Sequence, residues 1–374
     1  MRGGDELAFG AYTLRVIETP GHTPEHVCFL ISGGQSAAGP WGLFTGDTLF
    51  AGEVGRPDLL GKEQEVGLAR QLYDTLFETV LPLGDEIIIY PAHGEGSPCG
   101  ANIGARMRST IGYERLHSKN LQAQSREAFV EAVLAEQTPA PRYYPRMKQV
   151  NAAGPRVLGR LPDVPLLDAD RFEREMQQGG ALVLDARDKL AFGGAHVEGA
   201  WNIGLDGSFP LWVGWFVEDP ETRLLLVLPG ADDLHAAVTE LLSVGYENIG
   251  GALLGGMDGW NEAGKPFRGA PQMSVHALRK HVENGSNLQI LDVRREATFA
   301  EGHVEGAVNI WLPELPENLD RLDRDRPVAA YCTTGYRSSI AASILQNSGF
   351  PDVRTVPGSM VAWQAAGYPV TTCD

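Results

Sequence analysis

One stretch of this chain occurs twice, and that duplication constrains the fold more than any other feature. Residues 185–203, DARDKLAFGGAHVEGAWNI, align without gaps on residues 292–310, DVRREATFAEGHVEGAVNI. Ten of nineteen positions are identical, among them Asp185/Asp292, Arg187/Arg294, Phe192/Phe299 and His196/His303. The copies also end alike, GMDGWNEAGKPF at 256–267 and SMVAWQAAGYPV at 359–370. Two successive domains are therefore expected, 161–268 and 269–374. Each holds an apolar strand (ALVLDAR, LQILDVR), a second strand (RLLLVL, PVAAYC) and a helix-like segment (LHAAVTELLSVG, SSIAASILQNSG). Short apolar strands alternating with helices predict an α/β fold, a doubly wound parallel sheet covered on both faces.

Residues 1–115 have a different texture. Tyr12, Leu14 and Val16 alternate as in a strand, HVCFLI, LFTG and EIIIYPAH read as further strands, and Val66, Ala69, Leu72, Leu76 and Val80 recur at helical spacing. Their joints, PGH, TGDT, GEVGRPD and HGEGSPCG, combine glycine with His and Asp, the composition of an active-site rim. Residues 116–160 read as an amphipathic helix, SREAFVEAVLAEQ, followed by a linker, TPAPRYYPRMKQVNAAGP.

The balance of charge narrows the function. Thirty-one basic against 48 acidic residues, a net charge of −17, argues against a nucleic-acid or anionic-membrane partner. No apolar run approaches the about 18 residues of a membrane span, and MRGGDELAFG is unlike a secretory leader. Four scattered cysteines (Cys28, Cys99, Cys332, Cys373) do not make a disulfide framework, so the expected setting is a reducing cytoplasm. The expected partners are small molecules, with self-association open.

Cys332 closes the strand PVAAY and opens CTTGYRSS, after which the helical pattern runs. A thiol there faces the unpaired N–H groups and positive end of a helix, and Arg337 adds a full charge. Both favour the thiolate, the form that attacks sulfur and carries it as a persulfide. Gly335 lets the loop curl so that N–H groups converge on an anion. Only four residues, Thr333 to Tyr336, separate Cys332 from Arg337, one fewer than in phosphate-handling cysteine enzymes, so the smaller cradle suits sulfane sulfur. Over 269–374 the chain resembles the rhodanese family, through this loop, Asp292–Arg294 and GHVEGAVNI at 302–310. The resemblance implies that Cys332 is the sulfur carrier, with Thr333, Thr334, Gly335, Tyr336, Arg337 and Ser338 around the anion. It leaves Asp292, Arg294 and His303 as scaffold, because comparable residues stand in the other copy. The expected substrates are a small persulfide or thiosulfate and a thiol acceptor.

The first copy lacks the thiol. Leu228 falls opposite Cys332, and LVLPGADDLH brings Asp232 and Asp233 where an anion would enter. This copy resembles a rhodanese that cannot carry sulfur, with a structural or docking task. Its insertion WNIGLDGSFPLWVGWF offers Trp201, Trp212, Trp215 and Phe216 as a domain interface or as local core.

In the first part, TPGHTPEH (19–26), TGDTLF (45–50), GRPD (55–58) and YPAHGEGSPCG (90–100) together resemble the carboxyl-terminal half of the metallo-β-lactamase fold. The nearest type is the persulfide dioxygenase branch fused to rhodanese domains. The resemblance then spans the whole chain: a partial αββα layer followed by two rhodanese-like domains. It implies a mononuclear Fe(II) site to which His22 and Asp47 correspond, and a substrate carboxylate met by Arg56. The family's H-x-H-x-D-H motif is absent, so the chain is expected to be amino-terminally truncated relative to that family. His93, a ligand in the dinuclear hydrolases, is an alternative third donor. His26 is expected to support the site, since Pro24 breaks a helical pairing with His22. Cys99, in a glycine-flanked turn, is a candidate sulfur relay. Cys28 is expected in the core, Cys373 as a bystander, and His117, His235, His276 and His281 at the surface.

Three functions follow. The first is a sulfurtransferase from a persulfide dioxygenase fusion, the dioxygenase half oxidising a persulfide with O2 to sulfite. The second is a glyoxalase II-like thioester hydrolase with zinc. The third is a metal-free sulfur carrier or sensor.

Overall fold

The computed structural model describes the chain except residues 1, 35, 95–102, 104–105, 136–138, 140, 207 and 374. Side chains at 36–38 and 148 are likewise outside the description. The chain divides into two units, Met1–Ala140 and Pro141–Asp374.

The first unit is built on a six-stranded sheet. In chain order it holds β1 (Glu6–Phe9), β2 (Tyr12–Glu18), β3 (Val27–Gly33), β4 (Ser36–Gly46), α1 (Lys62–Asp74), β5 (Ile88–Pro91), β6 (Ser109–Thr110), α2 (Ile111–His117) and α3 (Arg126–Ala135). The strands lie in sequence order, antiparallel except where β5 runs parallel to β4. One core joins Cys28, Leu30 and Leu43 of the sheet to Leu72 of α1 and to Leu76 and Val80 in the π-helical turn that prolongs it. Of the helical stripe expected in the sequence, Val66 is the exception, 40% exposed. Phe129 and Val133 of α3 enter the same core, so the amphipathic helix belongs to this unit.

The second unit contains both repeats. It opens with α4 (Tyr144–Ala153), a helix where a linker was expected. Pro145 sits in its first turn, where a missing N–H is harmless. Arg146 then ties the helix to the first repeat by donating to the Val244 carbonyl and stacking on Tyr246. The first repeat comprises β7 (Leu166–Leu167), α5 (Ala169–Gln177), β8 (Ala181–Asp185), α6 (Lys189–Gly194), β9 (Trp201–Asn202), α7 (Phe209–Phe216), β10 (Arg223–Val227), α8 (Leu234–Ser243), β11 (Ile249–Leu253) and α9 (Gly256–Glu262). The second comprises α10 (Val275–Glu283), β12 (Gln289–Asp292), α11 (Glu296–Glu301), β13 (Ala307–Asn309), β14 (Val328–Tyr331), α12 (Tyr336–Asn347), β15 (Val353–Thr355) and α13 (Ser359–Ala365). The sheets are parallel, ordered β7-β11-β10-β8-β9 and β13-β12-β14-β15. Asp185 pairs with Val227 and Asp292 with Tyr331, so the copies share one register.

The residues identical between the copies build this scaffold. Arg187 forks onto Asp185 and donates to the Ala195 carbonyl; Arg294 forks onto Asp292 and donates to Gly302. Asn202 and Asn309 each bridge the carbonyls of that Asp and Arg. His196 and His303 stack on Phe192 and Phe299 and donate through Nδ1 to their carbonyls. The aromatic insertion forms α7, whose Phe209, Trp212 and Val213 share a core with Leu312 and Leu315 of the second repeat. Trp215 meets Trp311 edge-on, 5.5 Å between centroids.

Candidate active site

The strand β14 ends at Tyr331, and Cys332 stands at the carboxyl end of a central parallel strand, where α/β folds open their crevices. The loop 332–335 turns into α12 through Gly335, whose φ of 102° lies in the left-handed region that a side chain disfavours. That turn aims the Gly335 N–H at Cys332 Sγ, 3.2 Å away. The Ser338 and Ser359 hydroxyls lie 3.9 and 4.0 Å from the sulfur, and the Cys332 N–H donates to Ser359 Oγ at 3.1 Å. A backbone N–H directed at the sulfur from the start of a helix is a setting that favours negative charge there, while the two serine hydroxyls donate to the Gly335 and Val356 carbonyls. Cys332 itself is 1% exposed.

The rest of the loop is arranged less uniformly than its sequence suggests. Arg337 is partly buried and donates to Thr333 Oγ1 at 2.8 Å, which braces the loop. Thr334 is exposed. Tyr336 turns away, its hydroxyl donating to the Gly204 carbonyl of the first repeat. Ser359 was missed by motif reading. Comparing SMVAW with GMDGW would have revealed it, since the thiol-bearing copy has serine where the other has Gly256.

In the first repeat Leu228 occupies the position after the corresponding strand, 7% exposed. It lines a cavity of about 350 Å³ with Arg187, Gly230, Leu254, Gly256 and Asp258. Arg187 is already committed to Asp185.

In the first unit, His22, Asp47 and His93 come from adjoining strand ends. His22 is buried, its Nδ1 donating to the Arg56 carbonyl and its Nε2 lying 3.4 Å from Asp47 Oδ2. His93 is exposed, with Nε2 3.2 Å from Asp47 Oδ1. Burial lowers the His22 pKa against the pull of Asp47, and lowers that of His26 as well. His26 supports Asp47: its Nε2 accepts the Asp47 N–H at 3.0 Å while Nδ1 meets the Thr19 and Thr48 hydroxyls. Asp47 Oδ1 is buried and takes part in no hydrogen bond. The two carboxylate oxygens thus face different imidazoles, and among the described residues no three His, Cys, Asp or Glu side chains group to hold a metal ion. The fit to a mononuclear iron is incomplete.

Arg56 departs from expectation. Its guanidinium is buried and forks onto Asp58, so the carboxylate it meets is internal. Cys28 is core, its thiol donating to the Thr45 carbonyl, and burial pushes its pKa up to about 11. Cys373 is exposed, and Cys99 lies outside the described residues.

The rhodanese-like domain model matches residues 168–263 and 274–366, just over half of the chain. The chain belongs to the rhodanese-like family. Among curated relatives, an uncharacterised protein of Mycobacterium leprae is 39% identical over 100 residues, 27% of this chain and 41% of that protein. The thiosulfate sulfurtransferase GlpE of Shewanella oneidensis is 35% identical over 94 residues, 25% of this chain and 92% of that protein. A solved metallo-β-lactamase of Staphylococcus aureus aligns over 67% of this chain and 70% of its own, with a TM-score of 0.58 at 31% identity. The architecture is thus a metallo-β-lactamase-like unit followed by two rhodanese-like domains. No helix among the described residues is long and apolar enough to cross a membrane.

Proposed function

We infer that this chain is a rhodanese-type sulfurtransferase of sulfane-sulfur metabolism, with Cys332 as the carrier. The observation that carries the reading is the Gly335 N–H directed at Cys332 Sγ, 3.2 Å away, at the start of α12. The Cys332 thiolate attacks the outer sulfur of thiosulfate, forms an S–S bond and expels sulfite with the electron pair of the broken bond. An acceptor thiolate then attacks the outer sulfur of the Cys332 persulfide, leaving as the acceptor's persulfide and restoring the thiolate. The site as proposed also includes the loop backbone of Thr333, Thr334, Gly335, Tyr336 and Ser338, with Arg337 adding its charge and bracing the loop, while the Tyr336 side chain turns to the first repeat. A low-molecular-weight persulfide serves as donor by the same exchange. Free thiols at Cys28, Cys332 and Cys373 fit a reducing cytoplasm. The proposed rhodanese-like limits are 161–268 and 269–374, with the segment 116–160 divided between the two units at Ala140/Pro141 rather than standing apart from 1–115.

The test is mass spectrometry after thiosulfate treatment, read beside turnover with a thiol acceptor. One sulfur atom gained at Cys332, and loss of both signals in Cys332→Ser, supports the reading; full activity in that variant defeats it.

A second reading concerns the first unit: persulfide oxidation with O2 at a divalent iron, as in the dioxygenase branch. It is favoured by Asp47 Oδ1, buried without a hydrogen bond beside His22 and His93. His22 and Asp47 are its proposed ligands, with His93 as a further donor. Iron content and O2 uptake with a persulfide decide it; two zinc ions and thioester turnover would favour the hydrolase instead.

A further inference from the structure

We propose that Lys189, carried by the thiol-free repeat, is the cation that binds the anionic end of the sulfur donor at Cys332. The inference deepens the sulfurtransferase reading and rests on it. Lys189 opens α6, and its stem lies across Gly335: a Cβ built on that glycine would stand 3.1 Å from both Cδ and Cε of Lys189. Gly335 is the residue whose N–H points at Cys332 Sγ. The lysine of one repeat therefore reaches the loop that holds the thiol of the other.

The juxtaposition is locked. Tyr336 donates to the Gly204 carbonyl at 2.8 Å, Ser339 to Asn202 Oδ1 at 2.5 Å, and Asn347 to the Gly199 carbonyl at 3.1 Å. All three bonds join α12 to the first repeat, so Lys189 is placed against the loop by a rigid surface. Its side chain is 29% exposed, with a packed stem and an ammonium able to reach solvent. The ion partner, Asp188, stands 3.5 Å away on a side chain 61% exposed, a weak pairing that leaves ammonium donors for a ligand. Arg337, with one N–H on the Thr333 hydroxyl, braces the same loop. In a chain of net charge −17, a thiosulfate dianion needs a local cation to approach the thiol. The ligand class is a small sulfur donor with an anionic group next to its sulfane sulfur.

The test compares Lys189→Gln and Lys189→Arg with the native chain in thiosulfate-to-thiol sulfur transfer across ionic strengths. Loss of one charge-assisted contact predicts a KM for thiosulfate raised roughly tenfold in Lys189→Gln, with kcat nearly unchanged. The fall of kcat/KM with salt should flatten in that variant, and Lys189→Arg should restore both. A KM and salt dependence in Lys189→Gln equal to native, while Cys332→Ser is inactive, overturns the proposal alone. Activity surviving in Cys332→Ser overturns the sulfurtransferase reading and this proposal with it.

Discussion

Ser359 holds Cys332 from a left-handed backbone: its Oγ accepts the Cys332 N–H at 3.1 Å while its own φ is 46°. It is the one residue other than glycine with positive φ among the described residues. In the thiol-free repeat the same place belongs to Gly256, at φ 55°. A side chain there costs roughly 1–2 kcal/mol over glycine. The copy with the sulfur retains that strain and gains a hydroxyl beside it, the pattern of strain kept at a functional site.

Ser359→Gly and Ser359→Ala both remove the hydroxyl, but only glycine relieves the backbone. Denaturant unfolding should find Ser359→Gly more stable than Ser359→Ala by about 1 kcal/mol. Sulfur transfer should fall in both, since the Cys332 N–H loses its acceptor. Equal stability of the two variants would contradict the strain argument.

Thiol chemistry should separate the cysteines. Cys28 is enclosed, donates to the Thr45 carbonyl, and has its pKa pushed up to about 11, so it stays a neutral thiol near pH 8. Brief treatment with thiosulfate followed by peptide mapping should load Cys332 and leave Cys28 unmodified. Cys332→Ser should lower turnover by on the order of 1,000-fold or more, with an unchanged melting temperature within a few degrees. Sulfur found on Cys28 in the folded protein would count against this assignment.

The repeats should be energetically coupled through Trp215 and Trp311, whose rings meet edge-on at 5.5 Å. A double-mutant cycle with Trp215→Ala and Trp311→Ala is expected to give a coupling of about 0.5–1.5 kcal/mol. Strict additivity would reduce the contact to coincidence.

His196 predicts an acid sensitivity. Burial lowers its pKa from the ordinary 6.5, with the Phe192 carbonyl bond opposing. The folded state therefore binds fewer protons than the unfolded chain as the pH drops, and the stability held above about 6.5 is lost as pH falls through the lower folded value. The melting temperature should decline between pH 7 and 5, and His196→Gln should flatten that decline. A variant that keeps the full native slope would assign the sensitivity to another group.

The repeat showed two copies of one α/β domain because the identical residues, Asp185 and Arg187 with Asp292 and Arg294, are local: each pair closes over two residues of chain. The Cys332 loop was legible for the same reason, since thiol, glycine and helix start lie within four residues. The helix at 144–153 was not, because Pro and Arg read as linker until Arg146 finds the Val244 carbonyl, 98 residues away. Arg56 was assigned to a substrate because a sequence does not show that Asp58 folds back to take its fork.

Residue order alone determined the duplicated domain, the single thiol at a helix start and the missing thiol in its twin, all properties of neighbours along the chain. Only the tertiary structure decided that Ser359, 27 residues onward, stands beside that thiol and that Lys189 of the other repeat lies against Gly335 in its loop. Such contacts depend on how sheets and helices pack, and packing joins residues that no local pattern connects.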